Sequence, residues 1–168
     1  MFTQYAIRNT QYAIRNTQYA LIFVVAEIMT KATYHSTISI TESKTFMSRI
    51  LTLTPDLFFS TRISSALIRA GHAVRVVDTN DREQIEDAVW SLNPALAILD
   101  IGAAFWEWQE VLRHLRETEP DLPILAYGSH MNVDATKKAK AMGATRVVAK
   151  SEFVNNMRNL VGRYARAE

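Results

Sequence analysis

Five short strand-forming runs alternate with five stretches of helical period between residues 49 and 164, and no other feature narrows the fold so far. The runs fall at 49–54 (RILTLT), 73–77, 96–99, 124–127 and 146–149, rich in aliphatic and β-branched residues with little polar alternation. Strands apolar on both faces need cover on both, which the helical crossovers of a parallel sheet supply. Between the runs, residues 57–70 set Phe59, Ile63, Ala66, Leu67 and Ala70 on one helical face, and Gly71 supplies the stop. Asp81 is placed to cap a helix reaching Leu92, striped with Ile85, Ala88, Val89 and Leu92. Further helices are predicted from about Phe105 to Glu117, over 133–142 before Gly143, and over 152–164. In the first of these Phe105, Trp108, Leu112 and Leu115 recur at core-facing spacing. Trp106 is left on another face, either as an exposed interface anchor or as filling for the preceding loop.

Right-handed crossovers turn this alternation into an α/β fold, a doubly wound five-stranded parallel sheet of flavodoxin-like order 2-1-3-4-5. In such sheets the functional crevice lies at the carboxyl ends of the strands. That end gathers Thr54, Pro55, Asp56, Asp100, Gly128, Ser129 and Lys150.

The first 46 residues read differently. TQYAIRN occupies 3–9, repeats at 10–16 and begins again at Thr17. The codons ACG CAA TAC GCA ATA CGC AAT spell this heptad, and they are also ACGCAAT written three times. A translated short DNA repeat therefore accounts for the segment, with translation starting at Met29 or Met47. Residues 1–46 are expected to be a disordered tail before a domain at 47–168. The apolar run at 20–26 ends at Glu27, too short for a signal peptide or a membrane span.

Charge and cysteine content exclude several function classes. The net charge of +2 arises in that tail, which carries four basic and two acidic residues. Of 19 basic and 17 acidic residues, 15 of each fall in 47–168, so whole-domain charge does not favour nucleic acid. Lys137, Lys138 and Lys140 read as a solvated helix face. The absence of cysteine removes disulfides and thiolate chemistry, and suits a cytoplasmic chain. The four histidines have no metal-ligand spacing, although His130 falls near the crevice. No glycine-rich phosphate loop follows the first strand, and neither a Ser-His-Asp order nor a pair of catalytic carboxylates can be assembled, so the chain reads as a non-enzyme.

Three segments carry a resemblance: PALAILDIGAAFWEWQEVLRHLR, LPILAYGSH and AMGATRVVAK. In order and spacing they resemble the response-regulator receiver family across 47–168. The resemblance implies a module of two-component (phosphorelay) signalling in which an aspartate accepts a phosphoryl group from a histidine kinase. It places Asp100 at the phospho-acceptor position and Lys150 at the phosphate-binding one. Phosphoryl transfer to a carboxylate needs cations against the developing oxygen charge, and Mg²⁺ takes hard oxygen ligands. The acidic pair that holds this metal in the family falls on Thr54 and Pro55, leaving Asp56 and Asp100 as candidate ligands and weakening Mg²⁺ binding. Gly128 stands where a Ser/Thr is usual, with Ser129 next to it as a substitute phosphate contact. Val147 replaces the aromatic switch residue, Ser151 a proline, and Ala104 and Trp108 a proline and a glycine.

The chain is accordingly read as a single-domain, degenerate receiver (a pseudo-receiver) acting through protein contacts, with Asp100 and Lys150 joined as an ion pair. Its implied partner is a histidine kinase or downstream effector, met through the last strand and helix or through the first and last helices. The resemblance also allows a homodimer. Two alternatives stand beside it: a phosphorylatable receiver using Asp100, and a small-molecule-binding flavodoxin-like module. GHAVRVVD also resembles part of cobalamin-binding modules, but the cobalt-ligating Asp-x-His-x-x-Gly motif is absent.

Overall fold

The computed structural model describes residues 47–166; the heptad repeat, the expected disordered tail and the expected start at Met29 lie outside them. Strands β1 (Arg49–Leu53), β2 (Ala73–Val77), β3 (Leu96–Asp100), β4 (Ile124–Gly128) and β5 (Arg146–Ala149) alternate with helices α1 (Leu57–Arg69), α2 (Arg82–Leu92), α3 (Trp108–Thr118), α4 (Val133–Ala141) and α5 (Lys150–Tyr164). The strands form one parallel sheet in the order β2-β1-β3-β4-β5, as the alternation predicts.

Side chains of each strand divide between two cores. Ile50, Leu96, Ile98, Leu125, Tyr127 and Val148 pack with Phe59, Ile63 and Leu67 of α1 and Phe153, Met157 and Val161 of α5. Their neighbours Leu51, Leu53, Ala97, Leu99, Ala126 and Val147 pack with α2 and α3. Each fully buried Leu or Ile contributes about 2 kcal/mol, so the central strands β3 and β4, buried along their whole length, anchor the sheet. Asp56, Asp81 and Asn132 cap α1, α2 and α4 by accepting from the backbone amides of Phe59, Gln84 and Ala135. Gly71 at φ 93° and Gly143 at φ 97° close α1 and α4 in the left-handed region, where a side chain is disfavoured.

The third helix corrects its expected start. It begins at Trp108, because Phe105 sits at φ 59° and is fully exposed at 103%. Trp106, by contrast, is 6% exposed and packs in the core. The helical spacing that assigned Phe105 to the core therefore extends one turn too far. A left-handed phenylalanine costs about 1–2 kcal/mol, which asparagine largely avoids. Phe105→Asn is thus expected to raise stability by about 1 kcal/mol in chemical denaturation.

His72 lies at the mouth of β2, 6% exposed, and its Nδ1 has no hydrogen-bond partner among the described residues. Burial pushes its pKa below the ordinary 6.5. The unfolded chain thus takes up this proton more readily, so stability is present above pH 6.5 and is lost as pH falls below it. Thermal unfolding of wild type and His72→Phe between pH 8 and pH 5 checks this: the midpoint of the variant is expected to fall less.

Candidate functional site

The carboxyl ends of the strands frame an open cleft of about 400 Å³, lined by Asp56, Asp100, Gly102, Gly128, Ser129, His130, Lys150 and Ser151 among others. Topology brings these together because β1 and β3, and β4 and β5, are neighbours whose outgoing loops rise on one side. Five of the seven residues that the sequence assigns to this crevice line it. Of the other two, Thr54 lies beneath it against Asp100, and Pro55 does not line it.

Asp100 ends β3 and is only 3% exposed. Its Oδ1 accepts from the backbone amides of Gly102 (2.8 Å) and Ala103 (3.1 Å). Its Oδ2 accepts from the hydroxyl of the fully buried Thr54 at 3.1 Å. The backbone carbonyl of Asp100 accepts from the Trp106 indole at 2.8 Å, so the whole residue is clasped by the β1 end and the β3–α3 loop. The three bonds to the carboxylate are charge-assisted and come from fixed donors, stronger than neutral ones.

Lys150 does not meet Asp100. It opens α5, two residues earlier than the helix predicted from the sequence, and its Nζ reaches Asp56 Oδ2 at 3.4 Å. The same ammonium stands 4.1 Å from the centroid of the Phe59 ring. The expected Asp100–Lys150 pair is therefore replaced by Asp56–Lys150, because Asp100 is turned inward and Asp56 stands at the rim. The amide of Phe59 holds the Asp56 carboxyl below its ordinary pKa, with Lys150 adding to this against the opposing effect of burial. Both side chains are over a third exposed, so the pair adds little stability.

Ser129 is exposed, and its Oγ accepts from the Met131 amide at 3.3 Å. Gly128 has a packing reason the sequence does not announce. A Cβ built there would lie 2.8 Å from Cγ1 of the buried Ile101, so Ile101 fills the space a hydroxylated side chain would need. Gly128→Thr is expected to destabilise by about 1–3 kcal/mol, read as a lowered denaturation midpoint. Val147, 8% exposed, packs in the core and offers no ring to change rotamer.

Beneath the cleft, Tyr127 is fully buried, stacked on Phe153 at 4.7 Å and edge-on to Phe59 at 5.2 Å. Its hydroxyl sits near Thr54 and Asp100 without meeting hydrogen-bond geometry to any described residue. Burial, followed by the Asp100 charge, pushes this phenol far above its ordinary pKa. Thr54 as the partner of Asp100 and Tyr127 beneath it are the components that sequence reasoning missed. Trp106 fills this loop, one of the two roles its place in the sequence allows.

These residues do not fit Mg²⁺. The positions of the family's acidic pair hold a threonine and a proline, Asp56 caps α1 and faces an ammonium, and each Asp100 oxygen already accepts from an internal donor. Among the described residues, no three His, Cys, Asp or Glu side chains cluster to hold a metal ion. Nor is any helix among them long and apolar enough to cross a membrane.

Neither a protein-family model nor a curated protein sequence matches the chain. Solved structures match its fold. NtrX from Brucella abortus in complex with ADP superposes with a TM-score of 0.62 and 20% identity, over 70% of this chain and 27% of that one, so this chain spans about a quarter of NtrX. The receiver domain of NtrX alone gives 0.59 and 21% identity, over 68% of this chain and 95% of that domain. The Vibrio cholerae chemotaxis protein CheY4 gives 0.61 and 20% identity, over 70% and 98%. The chain has the fold of receiver domains.

Proposed function

We propose that this chain is a response-regulator-like protein of two-component signalling that acts as a degenerate receiver, through protein contacts rather than through phosphorylation of Asp100. The observation that carries this reading is the commitment of the Asp100 carboxylate. A phospho-acceptor needs a carboxylate oxygen open to the donor and to a metal. Here Thr54, Gly102 and Ala103 hold both oxygens in a residue 3% exposed. Lys150, the cation that would meet the phosphoryl group, is drawn to Asp56. The likeness of fold to receiver domains supports the class of module. Its partner is a histidine kinase or a downstream effector in the cytoplasm.

Incubating the full chain with Mg²⁺ and acetyl phosphate and measuring its intact mass tests the reading. The expected result is no phosphoryl adduct that depends on Asp100. An adduct present in wild type and lost in Asp100→Asn would establish the phosphorylatable alternative instead.

A further inference from the structure

A second groove, of about 390 Å³, runs between α1 and α5 and is lined by Arg62, Ala66, Arg69, Val154, Arg158 and Asn159 among others. Its three arginines are exposed, and none forms a hydrogen bond or ion pair with a described residue. Of the other arginines, Arg75, Arg82, Arg113, Arg146 and Arg166 each face a carboxylate, Arg49 and Arg116 donate to backbone carbonyls, and Arg163 lies over the Tyr164 ring. α1 contains no acid at all. In a region with 15 basic and 15 acidic residues, three unmatched guanidiniums along one groove mark a surface whose counter-charge comes from elsewhere. Phe58, 94% exposed, does not line the groove but stands one helical turn before Arg62 on the same stripe of α1, an apolar side chain on the surface that continues from it.

We propose that this groove receives an acidic helical segment of a partner protein, its carboxylates on Arg62, Arg69 and Arg158 and an apolar side chain against Phe58. Guanidinium forks bind carboxylates with two bonds at once, and a groove between helices suits an amphipathic helix. Residues 1–46 carry four basic and two acidic groups, the wrong sign to fill it. Nucleic acid wants a longer basic track than three cations on an otherwise balanced domain. The proposal names the partner chemistry for the interaction module argued above and rests on that reading.

Titrating the full chain with an amphipathic peptide of about 15 residues, Glu on one face and Leu on the other, tests it by amide NMR and fluorescence anisotropy. Binding is expected to shift α1 and α5 amides, weaken with salt, and weaken at least about tenfold in Arg62→Glu/Arg158→Glu, with circular dichroism unchanged. Phe58→Ala should weaken it further. Equal binding of the Gln-for-Glu peptide, or undiminished binding by the double variant, would overturn the proposal. Equal competition by a single-stranded oligonucleotide of the same charge would replace it with a general polyanion site. Self-association of the full chain, broken by the same double variant, would assign the groove to a second copy and its Asp78, Asp81 and Glu83. A phosphoryl adduct on Asp100 would remove the phosphorylation-free reading and leave the groove standing; silent arginines with an unmodified Asp100 would do the reverse.

Discussion

Asp100→Ala is expected to destabilise the folded chain by about 3–5 kcal/mol, and Asp100→Asn by only about 1 kcal/mol. The alanine strands three donors at once: the Thr54 hydroxyl and the amides of Gly102 and Ala103. Asp100 is 3% exposed, so water does not readily replace the lost acceptor. The buried Thr54 hydroxyl left as an orphan costs about 1–3 kcal/mol, the partly buried amides of Gly102 and Ala103 add less each, and the loop that also seats Trp106 would have to reorganise around them. Asparagine keeps one oxygen for the two amides and offers its NH₂ to the Thr54 hydroxyl, which can turn to accept. Urea denaturation at neutral pH checks the ranking. An open acceptor aspartate carrying no such bonds would tolerate alanine within about 0.5 kcal/mol.

Tyr127→Ala is expected to cost about 3–5 kcal/mol, whereas Tyr127→Phe should be neutral or stabilising by up to about 1 kcal/mol. The ring is the shared element between α1, α5 and β4: it stacks on Phe153 at 4.7 Å and meets Phe59 edge-on at 5.2 Å. Deleting it opens a large void in a close-packed face. The hydroxyl contributes nothing comparable, being buried without a partner beside a carboxylate. Chevron or equilibrium denaturation of both variants separates the ring from the oxygen. A Tyr127→Phe loss above about 1 kcal/mol would instead mean that the phenol donates to Asp100 or Thr54.

The architecture was legible because it depends on periods. β3 and β4 are apolar on both faces, so their burial follows from composition alone, and Gly71, Asp81 and Gly143 punctuate the chain by local chemistry. The crevice was legible as a place, since topology fixes which strand ends meet. Its wiring was not. Whether Lys150 turns to Asp100 or Asp56 depends on two residues of helix start and on which carboxylate is buried. Phe105 leaves its expected core position because one left-handed residue breaks the helical count, whereas Trp106 takes the loop-filling one of its two expected roles. Ile101 excluding a side chain at Gly128 is a contact between the residue after β3 and the last residue of β4, invisible to any local pattern.

In the function proposed for this chain, Asp100 is an internal latch instead of a switch. The most direct measurement is the backbone amide spectrum of the full chain titrated with Mg²⁺ and beryllofluoride, in wild type and Asp100→Asn. The account predicts no saturable shift at Thr54, Gly102, Ala103 or Lys150 that distinguishes the two proteins. Saturable shifts at those amides in wild type, abolished in Asp100→Asn, would contradict it.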